Sequence, residues 1–312
     1  MTTQDTPGAD SRYPHLNGEV AQVADLDAAA RIKYLRQDRF IPYRAASDAM
    51  AELEDLLTWP DTVRPPCRML LGESAMGKSA IFKEFESDHP ACDNIGEDMA
   101  HVPVFRMQFP ETGSDGIYSE IIRKLNSEPV TAPSSSKLRS LALKILDRVG
   151  NRVLIIDEIA NVITKDLNRQ TIAMNATKFI TNEMERPIVL GVTPDAFRVV
   201  NKDKHLKTRF EPIFLPRFKD VTGDNGGNDY REFLFGLEMA LPLRKPSGLA
   251  TDADTAHEIM LRTHGITGDI VKLVVACARH VITSEEECIT AETVKNVVWM
   301  DAETFRKNFD AL

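Results

Sequence analysis

Eight residues with a fixed spacing carry the first sign of chemistry: Gly72-Glu73-Ser74-Ala75-Met76-Gly77-Lys78-Ser79 is a complete G-x-x-x-x-G-K-S phosphate loop. Its glycines let the backbone curl so that successive N–H groups converge on phosphate oxygens, and the helix that follows adds the positive end of its dipole. The nucleotide-binding stretch is therefore expected to run from Gly72 through Ala80, by way of Glu73, Ser74, Ala75, Met76, Gly77, Lys78 and Ser79. Lys78 is placed to reach the β- and γ-phosphates and the Ser79 hydroxyl to ligate Mg2+, so ATP and Mg2+ are the expected ligands. The apolar run Met69-Leu70-Leu71 before the loop and the amphipathic Ile81, Phe82 and Phe85 after it supply the strand and helix this motif needs.

A second signature is Val153-Leu154-Ile155-Ile156-Asp157-Glu158, an apolar run ending in two carboxylates. Continuous Val/Leu/Ile residues suit a central parallel strand covered on both faces, and such sheets bind ligands at the C-terminal ends of their strands. Asp157 should then stand beside Ser79 as the second metal-holding residue, with Glu158 as the catalytic group that orients and polarises the attacking water. A further strand, Ile188 to Val192, ends at Thr193, which either senses the γ-phosphate and positions water or caps the helix beginning at Pro194. Arg209 precedes the strand read at Ile213–Pro216, where an arginine is free to cross a subunit interface and stabilise charge on a neighbour's γ-phosphate.

These groups must be positioned by alternating strands and helices, an α/β arrangement. Buried strands are expected near 69–71, 102–110, 153–157 and 188–192, with helices over 114–125 and 138–149 and after the acidic strand. Upstream, 26–35 and 45–57 read as amphipathic helices separated by Phe40-Ile41-Pro42-Tyr43. That kinked apolar element could place Tyr43 over an adenine or could simply pack an N-terminal arm. Residues 1–24, rich in Thr, Asp, Gly and Pro, read as a disordered tail, and Thr222 to Asn228 as a flexible linker. Beyond it, helices are expected near 229–239, 252–262, 269–283, 291–298 and 301–308. The resulting division is a tail over 1–24, a helical arm over 25–60, a nucleotide-binding core over 61–221 and a helical domain over 222–312.

Composition narrows the classes. A charged fraction of 27% and a hydrophobic fraction of 43% belong to an ordinary globular protein, and the net charge of −9 argues against a wholly basic nucleic-acid coat while leaving a local basic stripe open. The four cysteines, Cys67, Cys92, Cys277 and Cys288, show no C-x-x-C pairing, and the seven histidines lack ligand spacing, which favours reduced thiols over zinc or disulfides. No apolar run reaches the roughly 18 residues of a membrane span, and no signal-peptide core is evident. A cytoplasmic protein is expected.

The order of phosphate loop, Asp157-Glu158 strand, Thr193-ended strand and Arg209-Phe210-Glu211 resembles the AAA+ ATPases. Within them the chain is similar to the TniB/TnsC-type transposition regulators, through 38–43, 71–79, 155–159, 168–170, 181–189 and 206–211. Ala160 stands where that family often has a histidine. The resemblance implies a P-loop NTPase core, a parallel sheet sandwiched by helices, with a C-terminal all-helical lid. In place of the lid's sensor arginine stands Asp269, with Lys272 one turn later. It implies a slow, assembly-dependent ATPase, bacterial and nucleoid-associated, that forms ATP-dependent homo-oligomers, rings or filaments, on double-stranded DNA. Hydrolysis would drive disassembly. The implied partners are a DDE-type transposase and a target selector of the TniQ type, with no membrane. Lys165, Arg169, Lys178, Arg106 and Lys124 are candidate DNA-phosphate contacts, each of which a solvated helix face also explains. An initiator- or clamp-loader-type AAA+ protein and a STAND-like signalling scaffold are the alternative readings.

Overall fold

A computed structural model of the protein describes residues 12–93, 100–110, 114–125, 134–159, 167–219 and 227–300. The chain divides into two compact units, one of Ala46–Pro216 and one that joins Met1–Ala45 to Arg217–Leu312.

The first unit is built on a parallel sheet of five strands, β1 (Cys67–Leu71), β2 (Val104–Gln108), β3 (Val153–Asp157), β4 (Ile188–Val192) and β5 (Phe210–Phe214), in the order β2-β3-β4-β1-β5. Every residue of β3 and β4 is buried, as their unbroken aliphatic sequences require of strands covered on both faces. Helices α3 (Arg44–Leu57, nearly all of it in this unit), α4 (Lys78–Asp88), α5 (Ser114–Leu125), α6 (Ser135–Arg148), α7 (Leu167–Glu183), α8 (Pro194–Val200) and α9 (Lys204–Arg209) accompany it. Each turns one apolar stripe inward: Ala46, Ala49, Leu53 and Leu56 on α3, and Ile81, Phe82 and Phe85 on α4. Two buried threonines of α7 satisfy their own hydroxyls, Thr177 on the Ala173 carbonyl at 2.8 Å and Thr181 on the Thr177 carbonyl at 2.9 Å.

The last strand begins earlier than the sequence suggests. The strand is expected from Ile213, yet β5 opens at Phe210 with Pro212 at its middle, and Glu211, Pro212 and Phe214 are exposed. The missing N–H is tolerated because β5 is an edge strand, bonded only to β1, and a proline there also blocks further strand addition.

In the second unit, α1 (Gly18–Ala24) and α2 (Ala28–Leu35) accompany α10 (Gly227–Met239), α11 (Ala253–Thr263), α12 (Thr267–Thr283) and α13 (Ala291–Asn296). Among the described residues of this C-terminal region the regular elements are all helices, joined by turns and loops. Residues 12–24 depart from the expected disorder: Tyr13, Leu16, Val20 and Ala24 form a buried apolar cluster. Tyr13 and Leu16 lie in the turn before α1, and Val20 and Ala24 on its buried face, so no single helical period announces the cluster among the polar residues around it. Arg31 of α2 is 1% exposed; its guanidinium meets the Glu287 carboxylate and donates to the Pro242 carbonyl from Nε at 2.9 Å and from Nη2 at 2.7 Å. Glu238, also buried, accepts from the backbone N–H groups of Ser247, Gly248 and Leu249 at 2.7 to 2.8 Å. Residues 1–11, positions 222–226 of the expected linker, the helix expected at 301–308, Lys165 and Ala160 lie outside the described residues; Gly227 and Asn228, also expected in the linker, open α10.

Candidate nucleotide site

The phosphate loop leaves the C-terminal end of β1 and turns directly into α4. Met76, 1% exposed, anchors its middle, while Ala75 (φ 63°) and Gly77 (φ 85°) take left-handed backbone angles. Gly77 immediately precedes the first helical residue, so the curl that only glycine adopts without strain falls where the helix N-terminus opens. The Lys78 ammonium turns back into the loop and donates to the carbonyls of Gly72 at 2.7 Å and Glu73 at 2.8 Å. Burial pushes its pKa below the ordinary lysine range, against an opposing pull from Asp157 and then Glu73. A desolvated cation held by neutral carbonyls gains by meeting an anion, and phosphate oxygens supply one.

At the end of β3, Asp157 is 3% exposed and both carboxylate oxygens are engaged. Oδ2 accepts from the Ser79 hydroxyl at 2.6 Å, and Oδ1 accepts from the Glu158 N–H at 2.9 Å. The pairing of Ser79 with Asp157 thus joins residues 78 positions apart. Between β1 and β3 lies β4, and Gly191 of that strand makes the crossing possible: a Cβ there would stand 2.2 Å from Asp157 Oδ1 and 3.0 Å from the Phe82 ring. In the sequence Gly191 reads only as part of a strand. The available signal was a lone glycine inside an aliphatic run, which marks a close approach by another group. Gly191→Ala is expected to displace the Asp157 carboxylate and weaken magnesium-dependent ATP binding at least about tenfold, or about 1.4 kcal/mol. Titration of a fluorescent ATP analogue with and without magnesium checks this, and an unchanged magnesium-dependent affinity would contradict it.

A hydroxyl and one carboxylate in contact fit a magnesium ion, which keeps several waters and takes one or two protein oxygens beside its phosphates. Among the described residues no group of three or more His, Cys, Asp or Glu side chains could hold a metal on its own. Glu158 follows Asp157 with its side chain exposed and its φ at 59°, a left-handed angle uncommon for a non-glycine residue. Such strain recurs at functional positions.

The other expected site residues are placed as follows. Thr193 directly follows β4 at the same sheet edge and caps α8, its Oγ accepting from the Ala196 N–H at 3.5 Å. Arg209 ends α9 and donates to the Thr181 carbonyl. Tyr43 belongs to the other unit and is 4% exposed, with its ring edge-on to Phe218 at 5.0 Å and Phe233 at 5.5 Å, so aromatic packing accounts for it. Three of the basic residues read as DNA contacts are engaged within the chain: Lys178 with Asp203 at 2.5 Å, Arg106 with Glu86 at 2.8 Å, and Lys124 with Glu120 at 3.8 Å.

With this geometry, comparison with known proteins is decisive for family. The model of the family described as bacterial TniB protein matches residues 31–220, more than half of the chain. The chain belongs to the bacterial TniB family. No curated protein matches it in sequence. Among solved structures, Aeropyrum pernix ORC1 in complex with DNA is similar at 16% identity and a TM-score of 0.54, over 85% of this chain and 68% of that one. Drosophila ORC bound to DNA is similar at 14% identity and a TM-score of 0.52, over 96% and 69% of the two chains. The Thermotoga maritima RuvB branch-migration motor is similar at 12% identity and a TM-score of 0.50, over 85% and 72%. At these identities the likeness establishes the fold, and the fold of this TniB chain is that of the AAA+ ATPases. No helix among its described residues is long and apolar enough to cross a membrane.

Proposed function

We propose that this TniB-family chain is an ATP-binding and ATP-hydrolysing regulator of DNA transposition, which assembles head to tail on duplex DNA under the control of its nucleotide state. The observation that carries the reading is the Ser79–Asp157 contact at 2.6 Å across the glycine of β4, with the Lys78 ammonium folded into the loop. Those three groups are what a magnesium-bound triphosphate needs at one edge of a parallel sheet. The family supports the link to transposition, and the DNA bound by the Aeropyrum pernix ORC1 and Drosophila ORC structures supports a nucleic-acid partner.

In this reading the backbone N–H groups from Gly72 to Ala80 cradle the phosphates, and Lys78 exchanges its two carbonyl partners for the β- and γ-phosphate oxygens. Ser79 and Asp157 hold magnesium, which supplies positive charge against the charge developing on the phosphates. Glu158 orients and polarises the attacking water, Thr193 offers its hydroxyl to the γ-phosphate or to that water, and Arg209 reaches the γ-phosphate held by an adjacent copy. Assembly then depends on ATP and hydrolysis releases subunits. DNA contacts go to phosphates, with little sequence preference and a steep salt dependence. A DDE-type transposase is recruited or activated by the assembly, and a TniQ-type protein selects the target.

Lys78→Ala tests this reading. The loop loses its only side-chain cation, so ATP affinity is expected to fall by at least about a hundredfold, or about 2.7 kcal/mol. ATP-dependent assembly followed by light scattering should be lost with it. Retention of both nucleotide affinity and assembly would contradict the reading.

A further inference from the structure

At the sheet edge opposite the phosphate loop lies a cavity of about 100 Å³, lined by Arg64, Lys178, Thr181, Asn182, His205, Leu206, Thr208 and Arg209. Its placement follows from topology. β5 runs parallel to β1 with Phe210 level with Cys67, so Arg209 stands level with Pro66, at the N-terminal end of β1. Arg64 precedes the same end. The phosphate loop leaves the other end of β1, whose five residues at about 3.3 Å each separate the two edges by roughly 16 Å. Neither arginine reaches the triphosphate held by its own chain.

The cavity is strongly cationic and short of acceptors. Lys178 is neutralised by Asp203, whose carboxylate also caps α9 through the N–H groups of His205 and Leu206. Arg64 and Arg209 have no carboxylate partner among the described residues. Arg209 gives one donor to the Thr181 carbonyl, and its buried Nε has no acceptor at all among them. A guanidinium carries five N–H donors, so most of this capacity is uncommitted. The chemistry calls for a multivalent anion, and the size limits which one. Sites for whole small-molecule ligands run to about 300–1,000 Å³. A cavity near 100 Å³ takes a single tetrahedral group such as a phosphoryl.

We propose that this cavity receives the γ-phosphoryl group of the ATP bound by an adjacent copy of the chain, and that Arg64 is a second cation acting there in trans beside Arg209. The inference rests on the ATPase reading given above and adds to it a residue and a shape. A head-to-tail contact presents the two opposite edges of the sheet to each other, the arrangement a heterologous interface requires. During hydrolysis the water oxygen bonds to the γ-phosphorus while the bond to the β–γ bridging oxygen breaks. A water proton is lost, ADP leaves with the electron pair, and phosphate forms. Charge on the equatorial and leaving oxygens grows through that step, and two guanidinium groups oppose it better than one.

Complementation between full-length variants tests the inference. Arg64→Ala alone should lower the hydrolysis rate of the DNA-assembled protein at least about tenfold, and Glu158→Gln alone should lower it by about 10²- to 10⁴-fold. Mixed in equal amounts, the intact site of the first variant meets the intact cavity of the second at about one interface in four, and the rate should rise well above the sum of the separate variants. The Glu158→Gln/Arg64→Ala double variant, mixed with protein carrying neither change, provides the control for simple dilution. A wild-type rate in Arg64→Ala, or a loss that mixing does not relieve, overturns the role of Arg64; an Arg209→Ala loss that mixing does not relieve overturns the cavity as the site of the neighbour's phosphoryl group. If Arg209→Ala loses activity and recovers on mixing while Arg64→Ala retains it, only the role of Arg64 falls. Absence of ATP hydrolysis by the unaltered protein would overturn both this inference and the reading beneath it.

Discussion

Glu158→Gln is expected to bind ATP as the unaltered protein does and to lose hydrolysis by about 10²- to 10⁴-fold, the range over which general acid–base groups act. Glutamine keeps the size of the side chain and its exposure while removing the charge that polarises water. The backbone of the position is fixed independently: its N–H is held by Asp157 Oδ1 at 2.9 Å and its φ of 59° is set by the turn leaving β3. The phosphate loop, Ser79 and Asp157 are untouched, so binding and chemistry should separate. Phosphate release measured beside titration of a fluorescent ATP analogue resolves the two. Assemblies of the variant should form with ATP and persist, since the step that releases subunits is blocked. Normal turnover by purified Glu158→Gln would remove the carboxylate from its water-orienting role.

The second large effect is on folding. Arg31→Ala is expected to destabilise the unit containing the N- and C-terminal segments by about 3–5 kcal/mol, the cost of stranding one partner of a buried ion pair. The Glu287 side chain is 10% exposed, and beyond Arg31 it accepts from the Arg244 N–H at 3.2 Å, with the Arg244 guanidinium 3.9 Å away. Burial pushes the Glu287 carboxyl up, but the Arg31 hydrogen bonds and the charges of Arg31 and Arg244 outweigh it and hold the pKa below the ordinary glutamate range. A depressed folded-state pKa gives stability that is present above the unfolded value, near 4.3, and lost as pH falls through the folded one. Urea denaturation should therefore show this contribution fading below about pH 4 in the unaltered protein. In Arg31→Ala burial acts with less opposition, and the acid-side loss should shrink. A variant that denatures at the unaltered urea concentration and keeps the same acid profile would show the pair to be inert.

How much of this could be read from residues alone depended on whether the deciding contacts are local. The loop from Gly72 to Ser79 is legible because eight consecutive residues specify it, and Asp157 because a strand and its end lie in one short run. The helix over Ser114–Leu125 is legible from its apolar period. Gly191 is not, since its function depends on β4 lying between β1 and β3, a fact of strand order. Arg31 and Glu287 are 256 residues apart, and no local pattern announces a buried pair at that distance. The apolar cluster of Tyr13, Leu16 and Val20 was obscured by polar composition. The start of β5 at Phe210, before Pro212, was not legible because sequence does not reveal which strand is the edge. Arg64 carries no motif; it gains meaning only from the cavity it shares with Arg209.

The central claim is that nucleotide state gates assembly of the chain on duplex DNA. Binding of the purified full-length protein to duplex DNA of arbitrary sequence, with a non-hydrolysable ATP analogue or with ADP across a salt series, tests it most directly. Tight, cooperative binding is expected with the analogue alone, weakening steeply as salt rises. Equal binding with analogue and ADP, or no binding with either, would contradict it.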